Sequence, residues 1–225
     1  MADRTDEEQV EAIKEWWREN GMAVVIGIVV GIGALVGWRG WSEYQENRAR
    51  EASSLYQEML AARAAGDSEQ LQDKGTQLLA DYAATPYAGF AALALARQAL
   101  AADDLETAES RLRQALESLD EDSLQHVARL RLVRVLTARE QYDAALELLQ
   151  STDFGRFTAE YEELRGDILL GREDTAGARE AYRLALANTS PQAGGRELLQ
   201  MKLESVGGKA TPVNTTELDS AADNL

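Results

Sequence analysis

Residues 21–38, GMAVVIGIVVGIGALVGW, run without one charged side chain, and after Trp41 the apolar positions recur at helical spacing. An uncharged run of that length is an export signal, a buried helix or a membrane span, and its flanks decide between them. An export signal has a basic start, a shorter apolar stretch and a small-x-small cleavage site. Here residues 1–20 hold seven acidic and three basic side chains, and the run ends in WRGW. A core helix of a soluble fold rarely lacks polar residues on every face over about five turns. Residues 21–38 rise about 27 Å as a helix, and extension to Trp41 gives about 31 Å, the thickness of a bilayer's hydrocarbon. The pattern predicts a single uncleaved transmembrane anchor over 21–41.

The flanks carry membrane-interface residues. All four tryptophans sit here: Trp16 and Trp17 before the run, Trp38 and Trp41 after it, as two aromatic belts require. Arg39 lies where it would snorkel to the headgroups. Orientation is not set by charge: Arg4, Lys14 and Arg18 precede the run, and Arg39, Arg48 and Arg50 follow it, so the positive-inside rule favours neither side. Within the run, Gly27 and Gly31 share one helix face while Gly33, Gly37 and Gly40 share another. Both are G-x-x-x-G spacings that allow close approach of a second helix, although glycine is also common in membrane helices at large. Ahead of the anchor, Thr5 and Glu8 read as a capping box. Val10, Ile13 and Trp17 then continue at helical spacing, so residues 6–20 form a short amphipathic helix within a 1–20 tail.

The remainder is a repeat. DDLETAESRLRQAL (103–116), EQYDAALELLQST (140–152) and GREDTAGAREAYRLAL (171–186) share one apolar-face pattern, with a weaker copy at SEQLQDKGTQLLADY (68–82). With Lys74, Ala108, Ala145 and Ala178 taken as equivalent, the spacings are 34, 37 and 33 residues, the period of tetratricopeptide helix pairs. Gly166 falls where that repeat places a small residue for a close helix crossing; Ala96 and Val133 hold the matching positions. Strands are not expected, because no alternating Val/Ile-rich runs occur. Thr85-Pro86 and Ser190-Pro191 read as N-caps before a proline, and Asp67/Gln70 and Asp103/Glu106 as capping pairs. Residues 195–206 form a terminal helix covering the last repeat, as a solenoid needs. Nothing between Ser42 and Ala65 breaks a helix, so the anchor runs directly into the domain. The expected architecture is all-α: a 1–20 tail, the anchor, a tetratricopeptide-like solenoid with a C-terminal capping helix over 42–206, and a disordered 207–225 tail.

Composition narrows the function. The net charge is −16, of which residues 39–225 carry −12, which argues against nucleic acid as a partner. With no cysteine and one histidine, His126, disulfides, thiolate chemistry and Cys- or multi-His metal sites are not expected. Walker, G-x-G-x-x-G, G-x-S-x-G and H-E-x-x-H motifs are absent from the sequence. Paired carboxylates such as Asp103/Asp104 and Glu162/Glu163 read as surface or capping groups, and His126 as an exposed or capped residue. No enzyme, no cofactor and no catalytic residue is expected. The first helix of each pair would instead line a concave face: Phe90, Leu93, Arg97 and Leu100, then Val127, Leu130 and Arg134, then Glu160, Glu163 and Asp167. Arg97, Arg134 and Asp167 are equivalent positions. Such a groove suits an extended or helical polypeptide, unless these residues pack against neighbouring helices.

The segments EEQVEAIKEWWRENG, the glycine-rich anchor, WRGW, the degenerate repeats and LLQMKLESV together resemble the ancillary SecYEG translocon subunit family over residues 7–206. The resemblance implies a bacterial inner-membrane protein with a cytoplasmic N-terminus and a periplasmic repeat domain. It implies association with SecYEG and with a membrane-anchored periplasmic chaperone of the prolyl-isomerase-like class, and help in passing exported polypeptides onward. It supplies no catalytic residues, and residues after Val206 exceed the family's usual ending. The alternatives are a scaffold for envelope assembly or stress signalling unrelated to secretion, self-association through the anchor, and capture of a regulator by the tail.

Overall fold

Alanine-rich, proline-poor segments with apolar residues three and four apart favour helices that pack on neighbouring helices, and every regular element among the described residues is helical. The computed structural model describes residues 6–150 and 154–207, in two units, Met1–Glu51 and Ala52–Leu225. The Thr5/Glu8 capping box, Thr152 and the tail beyond Gly207 lie outside the described residues or side chains.

Helix α1 (Asp6–Ala65) supplies the first unit and, from Ala52, the first helix of the second. In the first unit, Val25, Ile28, Val29, Ile32, Leu35 and Val36 are all exposed. Ion pairs flank the apolar stretch, Glu15–Arg18 at 3.4 Å and Glu46–Arg50 at 2.9 Å. Its most apolar eighteen-residue window has a mean hydropathy of 2.3 and is 6% buried. The helix is long and apolar enough to cross a membrane, and an all-round apolar surface belongs in a non-aqueous medium.

The second unit continues with α2 (Ser68–Asp81), α3 (Pro86–Ala101), α4 (Leu105–Ser118), α5 (Asp122–Ala138), α6 (Tyr142–Gln150), α7 (Thr158–Gly171), α8 (Thr175–Ala187) and α9 (Arg196–Ser205). Each packs chiefly on its neighbours in sequence. The core is accordingly a row of clusters. Ala52, Met59 and Leu78 fill the first, Leu112, Leu132, Leu136 and Leu149 the central one, and Tyr182, Leu199 and Leu203 the last. Each fully buried leucine contributes about 1.5–3 kcal/mol of transfer free energy.

The turn inside each helix pair is built four times the same way. Gly66, Asp103, Glu140 and Glu173 sit at φ 72, 58, 59 and 65. The next residue's N–H bonds back to Ala62 O, Ala99 O, Leu136 O or Leu169 O, each at 2.9 Å. This is a Schellman turn, and its last residue caps the following helix. Asp67, Asp104 and Asp174 accept from the backbone N–H of Gln70, Thr107 and Gly177.

These turns correct the register. Leu71, Ala108, Ala145 and Ala178 each donate to the capping residue's carbonyl and are buried. Leu71, not Lys74, is therefore equivalent to Ala108. Lys74 is partly exposed and paired with Glu58 at 2.6 Å. The cap of α4 is Asp104, because Asp103 occupies the left-handed position. Thr85 stands at the N-cap of α3, but its hydroxyl donates back to Tyr82 O. Ser190-Pro191 forms a turn, and α9 starts at Arg196.

Candidate functional site

Small residues at the crossings bring the paired helices close. A Cβ on Gly166 would lie 2.4 Å from the Tyr182 ring, and one on Gly89 2.6 Å from Leu119. The crossing at Gly166 lets Tyr182 lie buried beneath α7, where its hydroxyl donates to Asp167 at 2.8 Å. Burial, with that carboxylate adding to it, holds the phenol well above its ordinary range.

The acidic end of the expected groove is taken up by the chain itself. Lys202 on α9 donates to Glu163 at 2.6 Å and to both Asp167 oxygens at 2.8 Å. Burial pulls its pKa down, but the two carboxylates outweigh that and raise it above the ordinary lysine value. Arg179 clasps the Val206 carbonyl through two nitrogens at 2.9 and 2.7 Å, and Arg196 donates to the carbonyls of Leu186 and Thr189. Glu160 is exposed at the rim of a 250 Å³ cavity beside α9.

In the middle, Leu130 is buried in the central core and Val127 is half-buried. Arg134 is exposed. Leu93 is half-buried against the core, and Phe90 joins Tyr56 and Tyr87 in an aromatic cluster with centroids 5.7–6.3 Å apart. His126 is half-buried rather than exposed: its ring stacks on Phe157 at 4.6 Å and its Nδ1 lies 2.9 Å from the Tyr161 hydroxyl. Burial raises the Tyr161 pKa, opposed by Arg129. Glu162 is likewise buried, 3.1 Å from Arg165, with Oε2 lacking a hydrogen-bond partner.

The other end is open. A cavity of about 390 Å³ lies between the end of α1, the start of α2 and the last turns of α3, lined by Arg63, Asp67, Ser68, Leu71, Ala94, Arg97 and Gln98 among others. Gln98 donates to Ser68 O at 2.9 Å and fixes the α2 and α3 walls together. Leu100 is exposed beyond it.

In the apolar part of α1, a Cβ on Gly27, Gly31, Gly33, Gly37 or Gly40 would meet nothing within 4 Å. Trp16, Trp17, Trp38, Arg39 and Trp41 are exposed, and Trp41 lies 6.1 Å from Tyr44.

Sequence periodicity missed Arg63 and the Lys202 cluster, since both depend on which helices meet. The repeated junctions GDS, DDL, EQY and EDT at 66, 103, 140 and 173 are the signal that would have found the turns.

A helix suited to a bilayer and a capped, degenerate helix-pair solenoid define a tetratricopeptide-like protein with one apolar N-terminal helix. The tetratricopeptide repeat-like domain family matches residues 14–208. The chain is 34% identical over 202 residues to an ancillary SecYEG translocon subunit of Escherichia coli strain K12, covering 89% of this chain and 96% of the relative. It is 28% identical over 201 residues to that of Haemophilus influenzae, covering 89% and 97%. Against that of Neisseria gonorrhoeae it is 28% identical over 211 residues, covering 92% and 100%. No solved structure matches significantly. The chain belongs to the ancillary SecYEG translocon subunit family.

Proposed function

We propose that this protein is a non-enzymatic, single-pass inner-membrane adaptor at the SecYEG translocon. The observation that carries the reading is similarity along nearly the whole length of relatives named as ancillary SecYEG translocon subunits. In this reading residues 1–20 are a cytoplasmic tail, 21–41 the anchor, and 42–206 a periplasmic domain. The domain binds a membrane-anchored periplasmic chaperone and helps hand over exported polypeptides. The Gly27/Gly31 and Gly33/Gly37 faces serve as helix-packing surfaces, with Trp16, Trp17, Trp38, Arg39 and Trp41 at the interfaces. Phe90, Leu93, Arg97 and Arg134 contribute to polypeptide binding.

Copurification of the membrane-extracted protein tests the reading: SecYEG and a periplasmic chaperone are expected together with it. Recovery of neither would favour an envelope scaffold. Photocrosslinkers at Gly31 and Gly37 are expected to trap a membrane helix, and none trapped at either face would remove the packing role. Tail deletion (residues 2–15) tests regulator capture, which predicts loss of a cytoplasmic partner.

A further inference from the structure

Many cations of the second unit are held in ion pairs. Lys74, Arg113, Arg165, Arg172, Arg183 and Lys202 each hold a carboxylate. Among the described residues, the guanidinium groups of Arg63, Arg97, Arg131 and Arg134 have no ion-pair or hydrogen-bond partner, and of these four Arg63 and Arg97 line the 390 Å³ cavity. The carboxylate in the same lining, Asp67, makes no ion pair with either arginine: its two oxygens accept from the backbone N–H and the side chain of Gln70 at 3.0 and 2.7 Å, and its one negative charge leaves the two guanidinium groups in excess around the cavity. The Gln70 backbone bond, ahead of the side-chain bond, holds the Asp67 carboxyl below the ordinary range. The rest of the lining is Gly66, Ser68, Gln98, Ala101 and the buried apolar side chains of Leu71 and Ala94. A chain of net charge −16 thus keeps two free guanidinium groups around a hollow with an apolar wall.

We propose that this cavity seats a carboxylate of a bound polypeptide, held by Arg63 and Arg97, with a small apolar side chain against Leu71 and Ala94. Guanidinium favours carboxylate through paired N–H donors, and the volume lies in the range of ligand sites. The proposal rests on the adaptor reading and sharpens it. The polypeptide is held at the open α1–α3 end, while the Lys202 cluster occupies the acidic end. The carboxylate comes either from a chain terminus or from an Asp or Glu side chain.

The test uses the full-length protein in detergent and three dansylated tetrapeptides read by fluorescence anisotropy: AALA free acid, its C-terminal amide, and AELA amide. The free acid is expected to bind and the neutral amide not. Binding of AELA amide assigns a side-chain carboxylate as a second source, and its failure assigns the terminus. Arg63→Gln and Arg97→Gln should each weaken binding about tenfold, whereas Arg131→Gln, an exposed arginine outside the cavity, should not. All three replace exposed side chains, and unchanged thermal melts check that folding is intact. Equal binding of the acids and the neutral amide, or wild-type affinity in both cavity variants, overturns the proposal. The same preparations are probed for copurifying SecYEG. SecYEG present without peptide binding defeats the cavity alone; peptide binding without SecYEG defeats the adaptor reading alone.

Discussion

At the residue scale, the four Schellman turns set the repeat and carry unequal conformational cost. Gly66 takes its left-handed φ freely, whereas Asp103, Glu140 and Glu173 take it against Cβ sterics. Glu140→Gly is expected to stabilise the domain by about 0.5–1 kcal/mol and Gly66→Ala to destabilise it by about 1 kcal/mol, measured by urea unfolding. Gly166→Ala should cost about 1–3 kcal/mol, because its Cβ would fall 2.4 Å from the buried Tyr182 ring. The Asp104 carboxyl is lowered from 3.8, chiefly by Thr107. A group with a depressed folded-state pKa contributes fully above its unfolded value and loses that contribution as pH falls through the folded one. Asp104→Ala should therefore lower the melting temperature at pH 7, and the difference should shrink below pH 3.8.

At the element scale, α9 decides whether the solenoid is finished. Leu199, Leu203 and Val206 are buried against Tyr182, Ala185 and Leu186, and Lys202 joins the helix to Glu163 and Asp167 on α7. Leu203→Ala should cost about 2–5 kcal/mol and preferentially increase hydrogen exchange in α8 and α9. The Lys202 pKa is raised above 10.5, so its stabilising contribution is complete below that pH and lost as pH rises through the folded value. The melting-temperature gap between wild type and Lys202→Met should be constant from pH 7 to 9 and close above 10.5.

At the scale of the whole molecule, the chain has no native cysteine, so single introduced cysteines report topology without background. In the proposed orientation, cysteine at Asn188 in whole cells with a permeabilised outer membrane reacts with an impermeant maleimide, and cysteine at Glu15 does not. The reverse pattern would invert the membrane assignment. Both positions are exposed, so burial does not mask either.

Much of the element plan was legible in the sequence because it follows from local rules. An uncharged run must find an apolar medium, and three-four spacing predicts helices wherever it occurs, as within 103–116 and 171–186. Degenerate copies concealed the register: Lys74 and Leu71 both sit one turn apart on α2, and only the backbone turn at Gly66 shows which is equivalent to Ala108. The cap at Asp104 rather than Asp103 has the same origin, since two adjacent aspartates compete and the Schellman geometry takes the first.

The sequence by itself determined an all-α chain with one bilayer-length helix, a helix-pair repeat of 33–37 residues, and a terminal helix to close it, because each is written in the spacing of apolar side chains. Only the tertiary structure decided which charges are free. Arg97, Arg134 and Asp167 are equivalent along the chain, yet Asp167 meets Lys202 from thirty-five residues away, while Arg97 lines the same cavity as Arg63. Periodicity records which face a side chain occupies; the partner on the opposite face is chosen by packing between helices distant in sequence.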